Sequence, residues 1–483
     1  MPKIITFDIK KNIMDFFKHP PILSSLAVSM VSGLSVNANA NVTKVNEDQK
    51  PNIVLIIADD CRFLDLGCYG SPDAITPNID RLASQGLMFK RFFQATAMSS
   101  PTRHCLLTGI YPVRTGAYPN HTFIKDGIST LPKYLKDLGY RVAMQGKKHI
   151  APLSAFPFEY LDNKEPVSKN QQINLNKIED FIEEVSITKE PFFLYIGSTD
   201  PHTPWNRGDA SLFDPDKLTL SPNLVDTKET RNSYIKYLAE INQLDSDVGI
   251  IDEIIERYGL ADNTVFIFTS EQGYAFPFAK WTCYDEGLQT AFIIRWKNVT
   301  NPGSKTNAIC EYVDVTPTLI DIAGGMAPDT LDGKSFLSVI KGEKNTFKDY
   351  TYSIQTTRGV SGGSNYYGIR SVRNTEYRYI LNLTPDVDFT CWASKINNDF
   401  WASWLTKAET NCHARQQTIR YRLRPNEELY NVINDPFMMN NLAYDVSYSD
   451  VKKELRLRLN SWMEQQGDKG QQTEMEAYEH QMK

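Results

Sequence analysis

Four places in this chain set charged or imidazole side chains directly after a short apolar run. They are Asp59-Asp60 after NIVLIIA, Lys147 and His149 after RVAMQG, Asp200 and His202 after PFFLYIGS, and Glu271-Gln272 after TVFIFTS. Two carboxylates held side by side cannot both stay ionised unless a cation or a base compensates them. Asp59, Asp60, Glu271 and the amide oxygen of Gln272 form an all-oxygen donor set, which suits a hard divalent cation, calcium or magnesium. An Asp-Asp pair alone is as readily a solvated turn or a helix cap; its recurrence as Glu-Gln after a second run points to metal chemistry. Histidine is scarce, 7 residues in 483, yet His149 and His202 both close such runs beside a lysine or an aspartate. There an imidazole serves as acid or base near neutral pH.

A further stretch, SSPTRHCLLTG at 99–109, carries a different signal. Pro101 suits the first position of a helix, which predicts Ser99 and Ser100 at its threshold, where unpaired N–H groups and the helix dipole favour an anion. Arg103 adds a planar fork of donors. A capping serine accounts for one of these residues and not for Arg103 or the LLTG continuation.

The elements that must position these groups follow from periodicity. NIVLIIA, RVAMQG, PFFLYIGS, TVFIFTS and AFIIRW read as strands, the first of them buried on both faces. TPNIDRLASQG reads as a helix, with Thr76 as N-cap, Pro77 at the first helical position and Gly86 closing it. LPKYLKDLG, TPTLIDIAGG and the long segment from SYIKYLAE to IIERYG are helical as well. Strands and helices taking turns predict a large, mostly parallel sheet covered by helices, an α/β fold whose ligands gather beyond the carboxyl ends of the strands. From about residue 364 the chain becomes denser in Arg, Tyr and Trp, with antiparallel pairing in GIRSVRNTEYRYILNL, and predicts a smaller α+β subdomain over 364–483. The catalytic domain is expected over 51–363, and the last twenty residues read as a surface helix or a frayed tail.

A net charge of -6 and a pI near 5.8 give no basic footprint for nucleic acid. Residues 1–40 carry an apolar run, ILSSLAVSMVSGLSV, and a small-residue stop, NANA, as an export signal does. The run is too short and too interrupted to span a bilayer. Residues 41–50 are then a linker, and the mature protein is expected in the periplasm or outside the cell with no membrane span. The seven cysteines show no zinc spacing, and an oxidising compartment suggests one bridge, Cys391 to Cys412.

SSPTRHCLLTG resembles the signature of the type I sulfatases, C/S-x-P-S/T-R with a leucine-rich continuation and T-G. The resemblance continues through IIADD, GKKH for the family's G-K-W-H, DPH, SEQG for S-D-N-G, and EELYNVINDPFMMNNLA, in order from about residue 52 to 442. GKKHIAPLSAFPFEY and YGIRSVRNTEYRYILNL are most similar to the sulfamidase branch, the N-sulfoglucosamine sulfohydrolases. The resemblance implies an alkaline-phosphatase-like sandwich. It also implies that residue 99 is converted to formylglycine by a sulfatase-maturing enzyme, and that Ca2+ is held by Asp59, Asp60, Glu271, Gln272 and an oxygen of modified Ser99. One hydroxyl of the hydrated aldehyde then attacks sulfur while Arg103, Lys147 and Lys280 balance the sulfuryl oxygens. His202 protonates the leaving group, and His149 takes the proton of the second hydroxyl to expel sulfate. Lys280, in FPFAKW, reads equally as a surface lysine.

Three departures stand out. Ser99 replaces the commoner Cys, so maturation needs the radical-type enzyme that acts on serine, unless Ser99 itself stands in for a native Cys. Glu271 and Gln272 lengthen two ligands, and Lys148 replaces a Trp of the pocket wall. The substrate expected is ester sulfate on a polysaccharide such as carrageenan, with N-sulfated glucosamine of heparin-type chains as the alternative. Arg358, Arg370, Arg373, Trp392, Trp401 and Trp404 are candidate sugar contacts, or simply core and surface. A two-zinc phosphatase of the same superfamily needs several histidines, and downstream of His202 only His413 and His480 remain. An inactive glycan-binding relative is the reading if Ser99 is never modified.

Overall fold

Strand β1 (Asn52–Ala58) is buried at every position, and its side chains alternate between two apolar cores. Val54, Ile56 and Ala58 face one; Ile53, Leu55 and Ile57 face the other. Both faces of the sheet are covered, which is why this strand reads as an unbroken apolar run. The computed structural model describes residues 50–162 and 173–480. The expected leader, and all but the last residue of the linker, lie outside the described residues.

β2 (Leu87–Phe93), β3 (Arg141–Gly146), β4 (Glu159–Tyr160), β5 (Phe192–Gly197), β6 (Thr264–Ser270), β7 (Gln289–Trp296), β8 (Ser304–Thr306) and β9 (Cys310–Glu311) join β1 in a nine-stranded sheet. Its order is β4-β3-β5-β1-β6-β7-β2-β8, with β9 also paired to β2. The segment from β4 to β6 is parallel, and β7 runs antiparallel to both β6 and β2. The helices Lys228–Arg257, Leu175–Thr188 and Pro77–Gln85 contribute Leu238, Ile241, Ile178, Phe181 and Ile79 to the first core. Ser99–Thr108, Leu131–Asp137 and Val315–Ile322 contribute Leu106, Leu107, Leu135 and Leu319 to the second. Each such fully buried aliphatic side chain contributes roughly 1.5–3 kcal/mol. The helix-covered, mostly parallel sheet is the sandwich that the sequence led us to expect.

A second sheet is four-stranded and antiparallel, in the order β10 (Thr351–Thr356), β11 (Gly368–Arg373), β12 (Tyr377–Asn382), β13 (Glu427–Asn431). It begins upstream of residue 364, and β10 is tied to the segment leading to Ser99 by Ile354 N donating to Ala95 O at 2.8 Å. The GIRSVRNTEYRYILNL hairpin forms as expected, its turn closed by Asn374 Oδ1 accepting from Glu376 N and Tyr377 N. The C-terminal segment is anchored and not frayed up to residue 480: Glu474 is buried and accepts from Arg370 at 2.9 Å.

Two expectations are corrected. The Cys391–Cys412 bridge is absent and all seven cysteines are free; Cys391 is buried with its sulfur 3.0 Å from Tyr421 Oη, whereas Cys412 opens a helix on the exposed side. The helix behind SSPTRHCLLTG starts at Ser99, with Met98 as its N-cap, so Pro101 occupies the third position and not the first. Proline is tolerated there because the N–H groups of a first turn have no intrahelical partner in any case.

The strand ends that carry the polar residues lie unusually close together. Gly146, at φ +83°, and Gly197 allow it: a Cβ on Gly197 would meet the Lys147 carbonyl oxygen at 2.2 Å and Arg103 Nη1 at 2.8 Å. Gly197→Ala should therefore lower the unfolding free energy by at least the roughly 1–3 kcal/mol that overpacking costs, read as a lower urea midpoint. An unchanged midpoint would show that these two strand ends separate freely.

Candidate active site

Backbone hydrogen bonds continue past the ends of the strands and keep their exits in line. Ser198 N donates to Ile57 O at 3.0 Å, Asp59 N to Asp200 O at 2.9 Å, Glu271 N to Ala58 O at 2.9 Å and Lys147 N to Gly197 O at 2.7 Å. The acids after β1 and β6 and the bases after β3 and β5 thus share one edge. The helix Ser99–Thr108 aims its first turn at the same place.

Asp59, Asp60 and Glu271 are each at most 1% exposed, and each faces a cation. Lys147 Nζ contacts Asp59 Oδ2, and Lys280 Nζ donates to Asp60 Oδ2 at 2.6 Å. Arg103 binds Glu271 with two parallel bonds, Nε to Oε1 at 3.0 Å and Nη2 to Oε2 at 3.2 Å, and its Nη1 donates to the Lys147 carbonyl and to Tyr195 Oη. Burial pushes the Asp59 carboxyl up, and Lys147, then His202, overcome this and hold it well below the ordinary range. Glu271 is raised by burial and by Asp59, against the pull of Arg103. Ser99 joins the cluster through Gln272, whose Nε2 donates to Asp60 Oδ1 at 2.6 Å and to Ser99 Oγ at 3.2 Å.

The donor chemistry fits a hard cation. Asp59 Oδ1 and Gln272 Oε1 are buried acceptor oxygens without a hydrogen-bond donor. Asp59, Asp60 and His202 also bring one ligand atom each within 4.8 Å of one another. Asp59, Asp60, Gln272 and Ser99 offer the oxygens that would hold such a cation, whereas both carboxylate oxygens of the expected ligand Glu271 are engaged by Arg103.

Two histidines flank the cluster. His202 Nε2 lies 3.6 Å from Asp60 Oδ2, while its Nδ1–H donates to Thr203 O at 2.6 Å. His149 sits at φ +50°, and its Nε2 is 3.1 Å from Nδ1 of His121, itself at φ +54°. Burial, then Lys147, push the His149 ring well below its ordinary pKa, so it is neutral. Asp60, Phe278 and Trp281 also hold positive φ. Such backbone costs about 1–3 kcal/mol per residue and concentrates where geometry serves function.

The structure thus brings together Asp59, Asp60, Ser99, Arg103, Lys147, His202, Glu271, Gln272 and Lys280. Lys280 is 3% exposed, which removes the surface-lysine reading. Arg103 is fully enclosed and engaged by Glu271, so it holds the cluster together. Lys148, in place of the Trp, lies over the Tyr160 ring. Among the candidate sugar contacts, Arg370 and Arg373 are buried in ion pairs with Asp468, Glu474 and Asp285, and Trp401 and Trp404 are core. Arg358 and Trp392 keep partial exposure.

Sequence reasoning missed His104, His121 and Tyr195. His104 is fully buried; its Nδ1–H donates to Ser100 O at 2.8 Å and its Nε2 accepts from Ala151 N at 2.9 Å. It straps the Ser99 helix to the loop that follows His149. No pattern marks His104 or His121, and Tyr195 reads as an ordinary strand residue.

Comparison with known proteins adds relatives. A family model described as Sulfatase matches residues 51–326, and one described as N-sulphoglucosamine sulphohydrolase, C-terminal, matches residues 271–390. An ulvan-active sulfatase of Formosa agariphila is 32% identical over 433 residues, covering 87% of this chain and 81% of the relative. The human N-sulphoglucosamine sulphohydrolase is 25% identical over 465 residues, covering 85% and 89%. A structure solved with its substrate D-glucosamine-2-N,6-O-disulfate superposes with a TM-score of 0.66 at 20% identity, covering 87% of this chain and 99% of that one. A structure solved with a neocarrahexaose superposes at 0.63 and 21%, covering 86% and 93%.

The His104 strap predicts a pH dependence. Burial lowers this ring from an ordinary 6.5 to about 4, so between those values the unfolded chain binds a proton that the native ring refuses. Its contribution is complete above about pH 6.5 and is lost as pH falls towards 4, by about 3 kcal/mol in total. In urea unfolding, His104→Gln should be less sensitive than wild type between pH 7 and 4.5. Equal slopes would contradict the buried neutral ring.

Proposed function

From the premise that this chain belongs to the sulfatase family and acts on sulfated glycans, we propose that it removes ester sulfate from an algal polysaccharide or its oligosaccharides, using a formylglycine at position 99 and bound Ca2+. The single observation that carries this reading is the contact of Ser99 Oγ with Gln272 Nε2 at 3.2 Å, at the head of a helix and beside paired carboxylates. Ser99 does not cap this helix, whose N-cap is Met98. It stands where an anion is favoured by unpaired N–H groups and by nearby ammonium groups.

Formylglycine would supply a hydrated aldehyde with two hydroxyls, and calcium would supply positive charge at the reacting oxygens. Asp59, Asp60, Gln272 and residue 99 would hold the ion, with Glu271 kept beside Asp59 by Arg103 and lending it support. Lys147 and Lys280, relieved of Asp59 and Asp60, would pair with sulfate oxygens. His202 keeps Nε2 at the site because Nδ1–H is fixed on the Thr203 carbonyl. Burial, then Lys280, lower the His202 pKa against the pull of Asp60; the charge of a bound sulfate would favour the protonated form in which that nitrogen delivers its proton to the departing sugar oxygen. His149, neutral, serves as the base that takes the proton of the remaining hydroxyl.

The ester-sulfate reading draws support from the Formosa relative, named for activity on ulvan. The match of residues 271–390 to the N-sulphoglucosamine sulphohydrolase C-terminal model favours a second reading, cleavage of N-sulfate from glucosamine. The expected leader would carry the enzyme to the periplasm or beyond, where polysaccharides are met. No helix among the described residues is long and apolar enough to cross a membrane. Activation would require a maturing enzyme able to oxidise serine.

Sulfate release from ulvan, carrageenan and heparin oligosaccharides, followed by ion chromatography, tests the proposal. Release of ester sulfate from an algal substrate is expected, with the peptide containing residue 99 lighter by two hydrogens. Release from heparin at nitrogen alone would transfer the enzyme to the second reading. Release from none of them, with residue 99 converted, would refute both.

A further inference from the structure

We infer that His121 is a positioning residue for His149: its Nδ1 accepts the Nε2–H of His149 and so leaves the Nδ1 lone pair of His149 facing the site as the base. This rests on the reading of His149 as the group that takes the hydroxyl proton. The two rings meet at 3.1 Å between nitrogens and 4.9 Å between centroids, tilted by 40°. Only one of the two nitrogens carries the shared proton, so the contact fixes the tautomers of both rings.

Two observations support the pairing, and the first, the surroundings of His149, selects the nitrogen that carries the proton. His149 Nδ1 is enclosed and has no hydrogen-bond partner, while His121 is exposed. The charged groups that bear on the His149 ring are Lys147 and Arg103, which disfavour a proton on it, and Asp59, a smaller influence that favours one. Next to Lys147 and Arg103 a lone pair on Nδ1 is favoured, whereas a bare N–H there would be both unpaired and repelled. The Nε2–H tautomer of His149 donates to His121 and leaves Nδ1 a bare lone pair, whereas the reverse one, in which Nε2 accepts from His121, buries an unpaired Nδ1–H.

The second observation is the backbone. His121 at φ +54° and His149 at φ +50° both hold left-handed conformations that a histidine adopts at a cost. The loop around His121 is bound on each side: Asn120 N donates to Arg358 O at 3.2 Å, and Ile124 N donates to Ala151 O at 3.0 Å. The second of these bonds ends two residues after His149. The strand exit and the outer loop are therefore one assembly, and the histidine pair is its contact point.

When His149 takes the proton from the hydroxyl, it becomes an imidazolium with Nδ1–H newly formed and Nε2–H still on His121. The hydrogen bond to His121 then becomes charge-assisted and stabilises the charged ring. Loss of the Nδ1 proton to departing sulfate or water restores the neutral pair, and His121 never gains or loses a proton.

The test uses His121→Gly, which removes the ring at a position whose φ suits glycine, and His121→Asn, which keeps an acceptor near the place of Nδ1. The full-length matured enzyme is assayed on a sulfated oligosaccharide that wild type hydrolyses. His121→Gly is expected to lower kcat roughly 10-fold to 100-fold with KM changed less than about twofold, and His121→Asn to recover most of kcat. A raised KM with unchanged kcat in His121→Gly would overturn the inference in favour of a sugar contact, and so would an Asn variant as slow as the Gly variant. A second measurement is independent of activity. In protein labelled with 15N in histidine, with His149→Gln used for assignment, wild-type His149 should show unprotonated Nδ1 and protonated Nε2. His121→Gly should show a mixture of tautomers. The reverse tautomer in wild type, or the same single tautomer in His121→Gly, would overturn the inference even if the enzyme released no sulfate at all.

Discussion

Asp59, Asp60 and Glu271 are held inside the protein at one edge of the large sheet, where an ionised carboxylate is tolerated only beside a positive charge. Lys147, Lys280 and Arg103 supply those charges one to one. The rest of the site follows from this requirement. Arg103 reaches Glu271 only because its helix begins at Ser99 and points its first turn at the strand ends. Lys147 reaches Asp59 only because β3 and β5 end in glycines that let their backbones touch. Lys280 arrives on the loop after β6, whose fold is fixed by Gly273 N bonding to Gly287 O and Trp281 N bonding to Ala97 O. Ser99, the residue that reacts in the proposed chemistry, sits where these three supports converge.

The same compensation explains how one edge serves both structure and catalysis. Lysines that neutralise carboxylates are also the groups that a sulfate would use in the proposed chemistry, so a metal ion taking over the carboxylates would turn a balanced interior into an anion site. Arg103 does not share this freedom. With four hydrogen bonds and no exposure it is a fixed brace. The histidines divide along the same line: His104 is a buried strap, whereas His202 presents Nε2 to Asp60 and His149 keeps an enclosed Nδ1 without a hydrogen-bond partner.

Much of this was legible in the sequence. β1 and β6 were readable to the residue because both faces of a central parallel strand are buried, and an unbroken apolar run has few other meanings. The acids and bases were readable because strand ends are where such sheets place their chemistry. Less was legible where long-range packing decides. Pro101 favours the first helical position locally, but the helix opens two residues earlier, with Thr102 N donating to Met98 O at 3.0 Å. Cys391 and Cys412 were paired only because an oxidising compartment would permit a bridge, and Tyr421 claims the first of them. Arg370, a candidate sugar contact, is an interior cation balanced by Asp468 and Glu474, acids 98 and 104 residues away that no local pattern links to it. His121 left no trace, because its role depends on a loop meeting the end of β3.

The account stands on the claim that the oxygens of Asp59, Asp60 and Gln272 form a site for a hard divalent cation beside residue 99. Calorimetric titration of metal-stripped protein with Ca2+ tests it directly. The account predicts one equivalent bound by the wild type, and loss of that binding in Asp60→Asn, whose thermal unfolding should no longer respond to calcium. Absence of calcium binding in the wild type, or undiminished binding in Asp60→Asn, would contradict it.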